Sequence, residues 1–260
     1  METGRPYSRL LLRLERYNTF SASDRQRIAD LPLKFANFVG GSDVVIDGDV
    51  PSQCTLVLDG FLYSYKLVAG SRRQITSFFV PGDIADFGTL FLPCTDYGIA
   101  TLGHAVLGSM PHSALEKLLA ASPALGIAFW RESLMQAAIF HEWVVNLGRR
   151  DAIARIAHIV CELAVRLQAV GLARNLTISV PWTQTDVADA CGISNVHANR
   201  VIQELRHLGL VEWDSRRVKI RDWAGLVRLA DFSDAYLRCR EPAAIKKAPR
   251  PPGHEASEWA

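Results

Sequence analysis

Cysteine is sparse and unpatterned in this sequence: five residues in 260, an odd number, with no CxxC pair and none before Cys54. That argues against a disulfide framework and for reduced thiols in a cytosol. No uncharged apolar run is long enough to cross a bilayer, and the N-terminus carries no signal-peptide pattern. The expected location is therefore the cytoplasm, with no membrane partner. Histidine is equally thin where a barrel is expected: His104 alone falls between residues 32 and 111. A cupin-like metal enzyme, one alternative reading, would want His-x-His and a carboxylate on its barrel strands. No metal site and no catalytic residue is expected.

What is present bounds the class. A chain of 260 residues has room for two domains. A hydrophobic fraction of 49% with 22% charged residues suits a soluble globular protein. The net charge is only +2, but it is unevenly placed. Residues 1–148 carry 12 Lys/Arg against 14 Asp/Glu, and residues 149–240 carry 14 against 10. Within the second part, 195–221 holds six basic and three acidic groups, a modest footprint for a polyanion.

The excess falls on the most informative stretch, Pro181 to Arg221. Thr183 stands as an N-cap with Asp186 three residues later, an imperfect capping box. Val187, Ala188 and Cys191 then share one helical face. Gly192 stops that helix and Ser194 caps a second one over about Asn195 to His207. Ala198, Val201, Ile202 and Leu205 form the buried stripe of the second helix, which leaves Asn195, Val196, Asn199, Arg200 and Gln203 outward. Ala188, Gly192 and Ala198 supply the small residues that two steeply crossing helices need at their contact. Leu210, Val211 and Trp213, then Val218 and Ile220, alternate around Asp214 and Ser215 as two strands and a turn, the wing of a winged helix. Arg216 and Arg217 lie at its tip.

Earlier in the chain, residues 7–31 read as one or two short amphipathic helices with a capped break at Ser21 and Ser23. From Pro32 to Pro111 short apolar alternations are punctuated by turns, the texture of an antiparallel barrel or sandwich. A strand following Gly48-Asp49 is expected to end at Asp59-Gly60, and Pro81-Gly82-Asp83 follows another. His112 to Ala121 is a short helix, and a long one follows from about Ala124 to Leu147. Phe129, Phe140, Trp143 and Leu147 mark one face of the long helix. Ile127, Leu134, Ala138 and Val145 make a rough heptad seam on the other, so that one side packs on the barrel and the other on a second subunit. A plain core helix in a monomer is the competing reading. Gly148 is expected to break the helix, and Asp151 to start the next, running to Gly171. A final amphipathic helix is expected over 222–240 and a disordered tail over 241–260.

The turns Gly48-Asp49…Val57…Gly60 and Pro81-Gly82-Asp83, the long helix and the winged helix-turn-helix together resemble the cyclic-AMP receptor protein and FNR (CRP/FNR) family of bacterial transcription regulators over roughly residues 10–235. The resemblance implies an α+β chain. An N-terminal β-roll, a cyclic-nucleotide-binding-like jelly roll, occupies 1–123 with its preceding helices, followed by a dimerisation helix over 124–148 and a winged helix-turn-helix DNA-binding domain over 149–240. It also implies a homodimer on double-stranded DNA with a palindromic operator, a small signal bound in the β-roll, and RNA polymerase as a further partner. An effector pocket is expected at Phe87, Gly88, Thr89, Tyr97, Ala100 and Thr101.

Departures limit what the effector can be. In the family's cyclic-nucleotide cassette Phe-Gly is followed by Glu, with an Arg-Ser/Thr-Ala further on that pairs with phosphate. Here Thr89 follows Phe87-Gly88, and Asp96 to Thr101 contains no arginine, so cyclic nucleotide binding is not expected. The family's iron–sulfur branch uses N-terminal cysteines that this chain lacks. A haem would have only His104 or His141, and a lone histidine near an apolar helix face is more often merely packed. No cofactor is assigned, and the cysteines are expected to be small buried hydrophobes.

On the DNA side, Arg200 matches the family's base-reading arginine, able to grip guanine O6 and N7. Val196 stands where the family often has glutamate and suits a thymine methyl, while Asn195 or Asn199 could address adenine. Thr183, Gln184, His197, Arg216 and Arg217 are placed for backbone phosphates. A winged helix that binds a protein partner is the alternative. The outward polar residues suit base edges better than an apolar partner surface.

Overall fold

The computed structural model describes residues 6–237, with 17 and 71 excepted. Two short helices open the chain, α1 (Ser8–Glu15) and α2 (Ala22–Ala29). The expected break between them is a full capping box: the Ser21 hydroxyl accepts from the Asp24 amide while the Asp24 carboxylate accepts from Ser21 N–H.

An antiparallel sheet follows, built from β1 (Lys34–Phe38), β2 (Asp43–Val45), β3 (Gln53–Val68), β4 (Arg72–Phe79) and β5 (Gly98–Pro111). Its order is β1-β5-β3-β4, with β2 also on β5. Asp59-Gly60 does not end a strand as expected, because β3 runs through it for 16 residues. The register against β5 shifts on both sides of Asp59, and Gly60 has φ +79. This is a bulge that only glycine fits, since a Cβ there would lie 2.3 Å from the His104 carbonyl oxygen. Val57, Leu62, Phe79, Ile99 and Leu107 fill the inside of the sheet.

Helix α3 spans His112–Ala121, as the sequence predicts. Ser122 caps and Pro123 starts α4 (Pro123–Arg149), a rod of 27 residues. Gly148 does not break it. A lone exposed glycine costs about 1 kcal/mol in a helix, too little to outweigh the anchors beyond it: Arg150 donates to Glu142 at 2.6 Å, and Arg155 Nε donates to the Arg150 carbonyl at 2.8 Å. Phe129 and Trp143 are buried as expected, but Phe140 is 40% exposed. The ring of Phe87 covers Phe129 at a centroid distance of 5.3 Å, and no element among the described residues covers Phe140 three turns further on.

Asp151 caps α5 (Ala152–Ala169), which lies at the centre of the molecule. Ile156, Ala157, Val160, Cys161, Leu163 and Leu167 are buried, each aliphatic side chain contributing about 1.5–3 kcal/mol relative to exposure. Around it lie β6 (Thr177–Ser179), α6 (Gln184–Cys191), α7 (Asn195–His207), β7 (Val211–Asp214), β8 (Arg217–Ile220) and α8 (Trp223–Leu229). The helix expected over 222–240 ends at Leu229. Asp231 turns the chain at φ +46, and a 3-10 turn follows at Asp234–Leu237. Phe232 is thereby brought edge-on to the buried His158 ring at 5.2 Å. The rest of that segment and the tail lie outside the described residues.

Buried charge ties the layers together. Asp83, in the Pro81-Gly82-Asp83 turn, accepts from Arg13 of α1 and from Arg166 of α5, the latter at 2.7 Å. Arg13 also pairs with Glu132 of α4. Glu162 of α5 accepts from Arg166, from the Trp143 indole and from the Tyr236 hydroxyl. Cys54, Cys161 and Cys191 are buried as expected, Cys94 is exposed, and Cys239 lies outside the described residues.

Candidate nucleic-acid interface

The two helices of the expected reading motif form with the boundaries their caps dictate. The Thr183 hydroxyl accepts from the Asp186 amide, and the Asp186 carboxylate accepts from Thr183 N–H at 2.8 Å, so the capping box is complete in both directions. Gly192 takes the left-handed conformation at φ +63 that ends α6. Ser194 then accepts from the His197 amide at 3.2 Å and opens α7. Only Gly192, Ile193 and Ser194 separate the helices. Ala188 and Ala198 are fully packed, together with Val187, Cys191 and Val201, so the crossing has the small contacts it needs.

One side of α7 is buried through Ala198, Val201, Ile202 and Leu205. The opposite side faces open solvent. Asn195, Val196, Arg200 and Gln203 are exposed, with Asn199 and His197 half-buried beside them. Val196 is 83% exposed, an apolar side chain left largely uncovered by the described residues. Asn195 Nδ2 donates to Thr185 Oγ1 at 3.2 Å, and Arg206 donates to Gln203 Oε1 at 3.1 Å. Thr185 and Arg206 are additions the sequence reading missed. Thr185 is the second residue of α6 and belongs to no recognisable pattern, whereas Arg206 follows Gln203 at i+3 and is legible.

Thr183, Gln184, Arg216 and Arg217 are exposed around this ridge. The wing is a three-stranded sheet in the order β6-β8-β7, and its register puts Val211 opposite Ile220 and Trp213 opposite Val218. Ser215, at φ +30, turns the tip. The third strand, β6, was not expected, because a three-residue strand offers no alternation to read. An open groove of about 400 Å³ runs between Thr183-Gln184, Gln203-Arg206 and Asp214-Ser215. The stacked indoles of Trp182 and Trp213, 5.1 Å apart, lie in its wall. The C-terminal half of the ridge, the start of α6 and the turn of the wing thus frame one groove of mixed polar and apolar lining.

Of the residues expected to line an effector pocket, Thr89 and Tyr97 both lie near Cys54 and Asp86, and the others go to separate neighbours. Thr101 Oγ1 donates to the Val39 carbonyl at 2.6 Å and accepts from Ser42 N–H at 3.0 Å, so it fastens the β1–β2 turn. Ala100 is buried in the β5 core. Thr89 lies beside Cys54 and shares a 3.1 Å hydrogen bond with His112. Phe87 stacks towards α4, Gly88 is exposed, and Tyr97 packs on the Val45–Ile99 cluster. A cyclic nucleotide phosphate would meet no cation at 98–101. Asp86 is buried against Thr55, accepting from its amide at 2.6 Å and its hydroxyl at 2.9 Å. Burial pushes its carboxyl up to about 6, the Thr55 bonds opposing. His104 and His141 are both exposed, neither facing an apolar pocket that would enclose a haem. Among the described residues no group of three or more His, Cys, Asp or Glu is arranged to hold a metal ion, and no helix is long and apolar enough to cross a membrane.

Comparison with known proteins agrees with this geometry. Residues 154–229 match the family model of the Crp-like helix-turn-helix domain. The nitrogen fixation regulation protein FixK of Azorhizobium caulinodans is 27% identical over 195 residues, covering 75% of this chain and 78% of FixK. The transcriptional activator protein FnrA of Stutzerimonas stutzeri is 23% identical over 215 residues, covering 82% and 86%. Among solved structures, FixK2 from Bradyrhizobium japonicum superposes with a TM-score of 0.70 at 22% identity, covering 76% of this chain and 98% of that one. The fold is that of a cyclic-nucleotide-binding-like sheet followed by a helix-turn-helix. With a Crp-like helix-turn-helix domain over residues 154–229 folded and exposed behind such a sheet, and regulators of this kind matching it along most of their length, the chain is similar to the DNA-binding transcription regulators of the CRP/FNR family.

Proposed function

We propose that the protein acts as a homodimer whose two α7 ridges read the halves of a palindromic operator in adjacent major grooves. The observation that carries this is the exposed polar ridge on α7, capped and buttressed from behind yet without cover in front. The major groove is the one wide enough for it, and displays a full donor and acceptor code. Arg200 takes guanine, Asn195 and Asn199 address adenine, Val196 meets a thymine methyl, and Gln203 extends the reading face. Thr183, Gln184, His197, Arg216 and Arg217 hold phosphates and set register.

A long, mostly apolar stripe supports the dimer. Ile127, Trp130, Leu134, Ala137, His141 and Val144 recur at alternating three- and four-residue steps on α4 and are all exposed, Trp130 by 69%. A stripe at heptad spacing suits the same helix of a second copy. This register keeps Ile127 and Leu134 of the expected seam and moves Ala138 and Val145 to its edge. In this reading 1–123 is the sensory part, 124–148 the joining rod and 149–240 the DNA-reading part. The place of action is the cytoplasm, and half-sites lie about 34 Å apart.

The test is a binding titration against a duplex selected from a random pool by the protein itself, with a scrambled duplex beside it. Arg200→Ala is expected to cut the preference between the two by the discrimination at one base pair, about 1–3 kcal/mol, and leave weaker, more salt-sensitive binding. Arg216→Ala is expected to weaken both alike. If both variants lose only general affinity, the ridge does not read bases.

A further inference from the structure

The sensor sheet holds the reading motif directly. Strand β4 reaches α6 through one guanidinium: Arg73 Nη2 donates to Asp186 Oδ1 at 2.7 Å and its Nε donates to Asp189 Oδ2 at 2.8 Å. Tyr63 of β3 sets the fork from behind, its hydroxyl 2.5 Å from Arg73 Nη1. Next to it, Gln74 Nε2 donates to the Asp189 carbonyl at 2.7 Å. A second contact repeats the close approach elsewhere. Gly103 of β5, at φ +74, lies so near the segment before α6 that a Cβ would meet the Pro181 ring at 2.8 Å.

Asp186 makes the contact informative. Its Oδ2 caps α6, accepting from Thr183 N–H and from the Thr183 hydroxyl at 2.7 Å, while its Oδ1 takes Arg73. One carboxylate therefore joins the sheet to the end of α6 that faces phosphate. Arg73 also cancels two negative charges beside a surface meant for a polyanion. Lysine would replace it only in part, because its three N–H donors leave one nitrogen on a flexible stem, whereas the planar guanidinium reaches the two carboxylates from two separate nitrogens, Nε and Nη2.

We propose that Arg73 is a positioning residue for DNA binding: it fixes the Thr183–Gln184 end of α6 against the β-roll, so that a change in the sheet reaches the phosphate contacts without passing through α4. This rests on the α6–α7 pair being the DNA-reading motif.

The experiment measures the Kd of the folded, stoichiometrically titrated homodimer for the selected and scrambled duplexes. Arg73→Ala should raise both Kd values about tenfold, within the usual span of coupling between sites, and leave their ratio unchanged. Arg73→Lys should fall between it and the parent. Adding Asp189→Ala to Arg73→Ala should cost nothing further, since the two act as one contact. An unchanged Kd in Arg73→Ala overturns the proposal, whether or not thermal stability falls, because a merely structural role reduces the competent fraction and not the affinity. Independent, additive losses overturn it too. If Arg73→Ala does not fold, Arg73→Lys and Asp189→Ala decide, and parental affinity in both is the overturning result. Arg200→Ala run alongside separates the two ideas: preference reduced there with Arg73→Ala silent sinks the positioning role alone, and preference unchanged there sinks the reading face itself.

Discussion

Polar side chains are used in opposite senses by α7 and by the interior of the β-roll and α5. On α7 they stand outward, with Asn195, Arg200 and Gln203 exposed and the helix held only by its caps and its buried stripe. In the interior they are turned inward and consumed. Asp83, Arg13, Arg166 and Glu162 satisfy one another, Asp86 is closed by Thr55, and Thr101 is spent on a turn. A surface meant to bind leaves its hydrogen-bonding capacity free, and an interior meant to hold shape spends most of it, the His158 ring and Arg166 Nε of α5 being buried exceptions. Substitutions in the two places should therefore register in different measurements.

The harshest trial of that contrast is Asp83→Asn. It takes one carboxylate from two buried guanidinium groups, leaving Arg13 with Glu132 and Arg166 with Glu162, and breaking a buried ion pair costs up to about 3–5 kcal/mol. Chemical denaturation should show that loss, while any folded protein keeps its preference between duplexes. A loss below about 1 kcal/mol would break the contrast.

Asp86→Asn comes next and shows itself through pH. The folded carboxyl is raised from 3.8 to about 6 by burial. The proton is thus held more tightly in the folded state, and the stabilisation it gives is full below 3.8 and lost as pH rises through about 6. A shift of that size corresponds to about 3 kcal/mol. Denaturation of the parent between pH 4 and pH 8 should show a decline that the asparagine variant lacks. Parallel curves would mean that the site is wetter than its burial implies.

Arg200→Ala should leave stability within about 0.5 kcal/mol, as exposed substitutions do, and remove about 1–3 kcal/mol of discrimination at one base pair. Scoring binding against single-base variants of the selected duplex measures it. Val196→Ala should be the mildest, with stability unchanged and a small loss confined to one thymine position. Replacing that thymine by uracil in the duplex should abolish the difference between the parent and the alanine variant.

Local signals in the sequence were decisive wherever the chemistry was local. Thr183-Asp186, Gly192 and Ser194 specify where α6 and α7 start and stop through bonds spanning three or four residues, and the structure keeps those bounds. The wing followed from the alternation around Asp214-Ser215. Errors arose where distant partners overrule a local cue. Asp59-Gly60 has the composition of a turn, but pairing with β5 on both sides keeps the strand going. Gly148 has the composition of a stop, but the anchored Arg150 carries the helix past it. The helix expected after Asp222 breaks early because Phe232 finds its place against His158. No pattern announces the grip of Arg73 on Asp186, since the pair is 113 residues apart in sequence. The effector residues were placed by resemblance alone, and their hydrogen bonds go to separate neighbours.

The unbroken run of α4 through Gly148 makes it a lever. At 27 residues it is about 40 Å long. A tilt of about 10° where it leaves the β-roll would sweep its far end sideways by roughly 7 Å, a fifth of the half-site distance of the proposed homodimer. Two such levers joined side by side would open or close like calipers, and the spacing they span would depend on an angle set at the end remote from the DNA.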